Sequence, residues 1–132
     1  MHLVPVLGWA HAGDAIDYDE IDDADKVPTE CRDPKAFAMD VEGDSMEPKV
    51  HHGDRLIVSP SSPLYNDCYV VARFAQQGGV VLRKFEQMGN EVTLIPCNER
   101  YPVKSYDIDQ FDWIYPVWGR WTQLYKSNLS DF

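Results

Sequence analysis

The chain has 132 residues, 44% hydrophobic and 12% aromatic, and a formal net charge of −10. That length and apolar content give one domain with a real core and exclude disorder throughout. An acidic surface repels a phosphate backbone, so no DNA binding is expected of the chain by itself, and no stretch approaches the about 20 apolar residues of a membrane span.

Leu3 to Trp9 is apolar, and Pro5 and Gly8 limit it to an edge strand or extended segment. No basic segment precedes a long apolar one here, which argues against a signal peptide. Ala10-His11-Ala12-Gly13-Asp14 follows. Asp14 to Asp33 is acidic, with Asp17, Asp19, Glu20, Asp22, Asp23 and Asp25 close together. It lacks the Asp-x-Asp-x-Asp-Gly order and following Glu of a calcium loop, so a solvated loop ended by Pro28 and Pro34 is expected. Phe37, Met39 and Val41 alternate with Ala38, Asp40 and Glu42, which predicts a strand.

That strand breaks at Gly43-Asp44, presents Ser45, and turns again at His52-Gly53-Asp54 before Leu56-Ile57-Val58. A serine held by a glycine at a strand end exposes a hydroxyl on a rigid base. Ser59-Pro60-Ser61-Ser62-Pro63 reads as a loop and Asn66-Asp67 as a turn. Strands are predicted over Cys68–Phe74, Val80–Gln87 and Val92–Pro96. Gln76-Gln77-Gly78-Gly79 makes the first connection and Gly89-Asn90 the second. Trp113 to Trp121 reads as the closing strand, with Trp118 and Trp121 assigned to the core. Short strands, frequent turns and few helical periods make the fold class mainly β. Cys31, Cys68 and Cys97 are too few and too scattered for a disulfide framework or metal cluster. They read as reduced cytosolic thiols, with no cofactor expected.

Gly43-Asp44-Ser45-Met46-Glu47-Pro48, then a short spacer, Gly53-Asp54 and an apolar strand, resembles the nucleophile box of the LexA-type Ser/Lys peptidases. That superfamily includes the C-terminal domains of LexA and lambda-type phage repressors, the UmuD proteins and, more distantly, bacterial signal peptidases. The resemblance runs from about Val4 to Trp121 and takes in Asn98-Glu99-Arg100-Tyr101-Pro102. It implies one β-rich domain of short, strongly bent antiparallel sheets over residues 1–132. Residues 1–36 would carry the cleavage-site segment and acidic loop, and a DNA-binding domain would lie outside this chain. It further implies Ser45 as the nucleophile position, flanked by Gly43, Asp44 and Met46. The scissile bond would be Ala12-Gly13, where small residues let a serine approach the carbonyl.

A serine hydroxyl is a poor nucleophile until a base takes its proton. In the resembled family that base is a lysine made neutral by burial. Aligned without a gap, Leu82-Arg83-Lys84-Phe85 puts Arg83 in the lysine's place, and arginine cannot be deprotonated in a protein. Lys84 would face the other way unless a bulge between Gly78 and Arg83 shifted it by one. His11, His51 and His52 are assigned to the surface. Two functions stay open. One is a repressor's regulatory domain that dimerises, cuts itself poorly and yields to an antirepressor protein. The other is an active autopeptidase stimulated by the RecA filament. In both the resemblance implies a cytoplasmic homodimer, with operator DNA met only through the missing N-terminal domain.

Overall fold

The computed structural model describes residues 2–9, 21–76 and 79–121. Nearly all regular structure there is antiparallel strand. β1 (His2–Pro5) and β2 (Lys26–Thr29) form a two-stranded ribbon, with His2 opposite Thr29 and Pro5 opposite Lys26. A parallel bridge from Val6 to Ala38 lays this ribbon against the main sheet.

The main sheet has seven strands: β3 (Phe37–Asp40), β4 (Arg55–Val58), β5 (Tyr69–Phe74), β6 (Val80–Met88), β7 (Glu91–Ile95), β8 (Lys104–Asp107) and β9 (Phe111–Arg120). Their order is β3-β4-β9-β5-β6-β7-β8. The ten-residue β9 joins the two halves. Its end pairs with β4 through Leu56 and Arg120, and its start pairs with β5 through Arg73 and Trp113. β5 is buried at consecutive residues Val70, Val71 and Ala72, as a strand covered on both faces must be. In β7 only Val92 and Leu94 are buried, the alternation of a strand with one wet face.

Phe37, Met39, Met46, Val58 and Leu82 share one core cluster. Met46 is 2% exposed, so burial of this side chain fixes the loop carrying Ser45. Full burial of such a side chain stabilises by about 1.5–3 kcal/mol. A second cluster gathers Val70, Phe85, Val92 and Leu94 beneath the rings of Phe74, Tyr106 and Phe111.

Four expectations need correction. The acidic stretch is not loop up to Asp33: after a 3-10 turn at Asp23–Asp25 it forms β2, where pairing with β1 and burial of Val27 and Thr29 override the preceding acidic run and Pro28. Residues 1–36 therefore contain a β ribbon. Ser45 is not at a strand end, because β3 stops at Asp40 and Ser45 lies within the β3–β4 connection. Trp118 is not core: it is 51% exposed. Ile57 pairs with Gly119 and Val58 with Val117, so Trp118 is the extra residue of a bulge and turns outward. Trp121 is only half-buried, and its indole N–H donates to Pro28 O at 2.8 Å.

Candidate functional site: the Ser45–Arg83 cleft

The loop from Val41 to Asp54 is closed at its base. Asp40 faces Arg55 across the β3–β4 ladder, and the guanidinium grips the carboxylate at 2.7 and 3.1 Å. Above them Val41 N–H donates to Asp54 O and Gly53 N–H to Val41 O, both at 2.8 Å. Gly43 has φ of 81°, a left-handed conformation that a side chain would strain, and its N–H donates to His52 Nδ1 at 3.0 Å. His52 is an exposed residue, as expected, yet it anchors the turn that starts the serine box. His51 is also exposed and meets the Glu47 carboxylate.

A second staple comes from far along the chain. Asn98 N–H donates to Ser45 O, and Asn98 Nδ2 donates to Asp44 O, both at 3.0 Å. The Tyr101 hydroxyl donates to the Asp44 carboxylate, which holds the phenol above its ordinary pKa. Asn98 Oδ1 in turn accepts from Arg100 N–H at 3.0 Å. The Asn-x-x-Tyr-Pro segment thus clamps both residues before Met46. Neither Asn98 nor Tyr101 was singled out as a site residue by the sequence; their family segment was the available signal.

Arg83 sits on β6 opposite Val70, and Lys84 opposite Tyr69. The β5–β6 register runs unbroken from Val80 to Lys84, so within this stretch no bulge moves Lys84 round. Arg83 Nη1 donates to Ser45 Oγ at 2.8 Å and to Leu82 O at 2.7 Å. Lys84 Nζ instead approaches Asp67 Oδ1 at 3.7 Å. Burial pulls the Arg83 pKa below its ordinary value, with Tyr106 and Tyr101 working the other way. The guanidinium nevertheless keeps its charge. Ser45 and Arg83 face a cleft of about 210 Å³ walled by Trp9, Gly43, Asp44, Leu82 and Tyr101.

Among the described residues, Arg83 is the hydrogen-bond partner of Ser45 Oγ. It is a donor with no free lone pair, so it orients the hydroxyl without accepting its proton. Chemically the arrangement offers a positioned serine and a fixed positive charge and, among the described residues, no lysine bonded to that serine.

Residues 5–120 match the family model described as Peptidase S24-like. The chain belongs to that family. This S24 domain is 39% identical over 99 residues to a LexA repressor of Syntrophobacter fumaroxidans, covering 74% of this chain and 47% of that protein. A LexA repressor of Shewanella piezotolerans is 34% identical over 108 residues, covering 80% and 52%. The prophage repressor CohE of Escherichia coli K12 is 28% identical over 105 residues, covering 76% and 47%. The chain spans about half the length of the curated relatives it matches. In this S24 domain Ser45, Gly43, Asp44 and Arg83 line one cleft, Met46 is buried in the core beside it, and Lys84 turns away toward Asp67. Ala12 and Gly13 lie outside the described residues. No helix among the described residues is long and apolar enough to cross a membrane.

Proposed function

We propose that this S24 domain is the regulatory and oligomerisation domain of a phage- or prophage-type transcriptional repressor whose self-cleavage is impaired. The single observation that carries the reading is the 2.8 Å contact from Arg83 Nη1 to Ser45 Oγ. A guanidinium there supplies orientation but no general base, and general-base help is typically worth about 10²–10⁴ in rate. Relatives named LexA repressor and prophage repressor support the regulatory role. The net charge of −10 supports assigning operator contact to another domain of the full repressor. The domain acts in the cytoplasm as a homodimer, with the exposed Trp118 in the contact, and an antirepressor protein relieves repression.

The competing reading is an autopeptidase that cuts Ala12-Gly13 on a RecA filament. The cleft-facing Ser45 favours it, and Lys84, paired toward Asp67, weighs against it. Incubation at pH near 10, about the ordinary lysine pKa, separates the two. The proposed function predicts that intact mass is unchanged over hours. Fragments ending at Ala12, lost on Lys84→Ala, would establish the autopeptidase instead.

A further inference from the structure

A second cavity, of about 240 Å³, adjoins the serine cleft and shares Arg83 and Tyr101 with it. Phe74, Leu94 and Tyr106 supply apolar and aromatic walls, and Lys104 adds a second cation. Among the described residues no Asp or Glu lines it, in a chain with 22 acidic residues and 12 Lys plus Arg. The charge of this cavity is thus opposite to that of the molecule around it. Among the described residues no carboxylate pairs with Arg83, whose partners are a serine hydroxyl and a backbone carbonyl. A half-buried cation without a counter-charge carries a desolvation cost that an incoming anion relieves.

The size points to part of a larger ligand, because whole small-molecule ligands occupy pockets of about 300–1,000 Å³. The adjoining strand gives that ligand an approach. β8 is the last strand of the sheet and pairs only with β7 among the described residues, leaving its outer edge open. Lys104 and Tyr106 lie two apart on β8 and face the cavity together. A peptide crossing the sheet face from that edge, rather than pairing along it, would pass Lys104 and reach Arg83, because β6 lies two strand spacings of about 4.8 Å each from β8.

We propose that this cavity binds an extended acidic peptide, taking one carboxylate side chain between Arg83 and Lys104 and a neighbouring apolar side chain against Phe74 and Tyr106. A guanidinium and an ammonium converging on a carboxylate make charge-assisted hydrogen bonds, roughly twice as strong as neutral ones. The aromatic walls select a peptide side chain over a bare inorganic anion. This site deepens the repressor reading by naming the chemistry of a protein partner, but it does not depend on whether Ser45 cuts.

The test uses the unmodified chain at neutral pH, with its mass checked afterwards. The probes are an acetylated and amidated Phe-Asp-Leu tripeptide, its Phe-Asn-Leu counterpart and inorganic phosphate. Nuclear magnetic resonance titration is expected to show shifts at Leu94 and Tyr106, with the Asp peptide binding about tenfold tighter than the Asn peptide. Arg83→Gln should erase that ratio and Lys104→Gln, at an exposed strand position, should reduce it. If Arg83→Gln does not fold, Lys104→Gln decides, and an unchanged ratio there overturns the proposal. Equal binding of the two peptides, no binding of either at millimolar concentration, or phosphate binding as tightly as the Asp peptide would also overturn it. Cleavage during the assay would instead count against impaired self-cleavage, so the two failures are distinguishable.

Discussion

Arg83→Met separates a residue kept for its site from one kept for stability. Arg83 is half-buried, makes two hydrogen bonds and meets no carboxylate among the described residues. Each of its two bonds contributes about 1.5–3 kcal/mol at most, the range for charged donors. Ser45 is itself only half-buried, so water can replace the lost donor and the realised loss is smaller. Against that stands the effective penalty for burying an ion, several kcal/mol when burial is complete and roughly half of it here. The terms offset, and methionine keeps the length and apolar stem of the side chain. The expected change in unfolding free energy is therefore within about 1 kcal/mol of zero, read by urea denaturation with an unchanged slope. A loss above about 3 kcal/mol, as for a broken buried ion pair, would make Arg83 a structural residue and refute the reasoning.

Asp33 accepts from Ser59 Oγ at 2.9 Å and from Ser61 and Lys35 N–H at 2.7 and 2.9 Å. Burial raises its pKa, but these bonds outweigh it and hold the carboxyl below its ordinary value. Its contribution is thus complete above the unfolded value of about 3.9 and lost as pH falls through the folded one. Thermal melts of Asp33→Asn should sit below the unmodified chain at neutral pH and converge with it below about pH 4; a constant gap would contradict this. Asn98→Ala removes two neutral side-chain bonds and should cost about 1–2 kcal/mol. It should also speed amide exchange at Ser45 and Met46, whereas unchanged exchange would deny the staple. If the proposed homodimer forms through Trp118, Trp118→Glu should leave the melting curve intact and weaken self-association at least about tenfold in sedimentation, as for an interface anchor; an unaffected association would move the contact elsewhere.

The parts of the fold that local pattern controls were legible. Phe37, Met39 and Val41 face one core cluster while Ala38, also buried, faces another, Val92 and Leu94 point inward, and turns at Asp67 and Gly89 take positive φ where Asn-Asp and Gly-Asn mark them. Family resemblance supplied the serine box, while short strands and frequent turns already point to the β-rich class. β2 was hidden because it is four residues long, contains Pro28 and directly follows an acidic run, and its partner β1 lies more than twenty residues upstream. β8 was hidden too, since Lys104-Ser105-Tyr106-Asp107 offers one apolar residue in four and follows a loop. The outward Trp118 depends on a bulge between β4 and β9, which no spacing within β9 reveals. At the site, the strand period of two already separates Arg83 from Lys84. The Asn98 and Tyr101 staple could not be read, because Tyr101 and Asp44 are 57 residues apart in sequence.

The central claim is that Arg83 stands where a base is required, and restoring that base tests it most directly. Arg83→Lys places an amine on the strand position now 2.8 Å from Ser45 Oγ through its guanidinium. Held at pH near 10, where about a third of ordinary lysine is neutral, that variant should release a fragment ending at Ala12, seen by intact mass. Its rate should exceed that of the unmodified chain by about 10²–10⁴, the usual value of general-base help. Adding Ser45→Ala should abolish the fragment. An Arg83→Lys protein that stays folded and uncut, or an unmodified chain that cuts equally fast, would contradict the account.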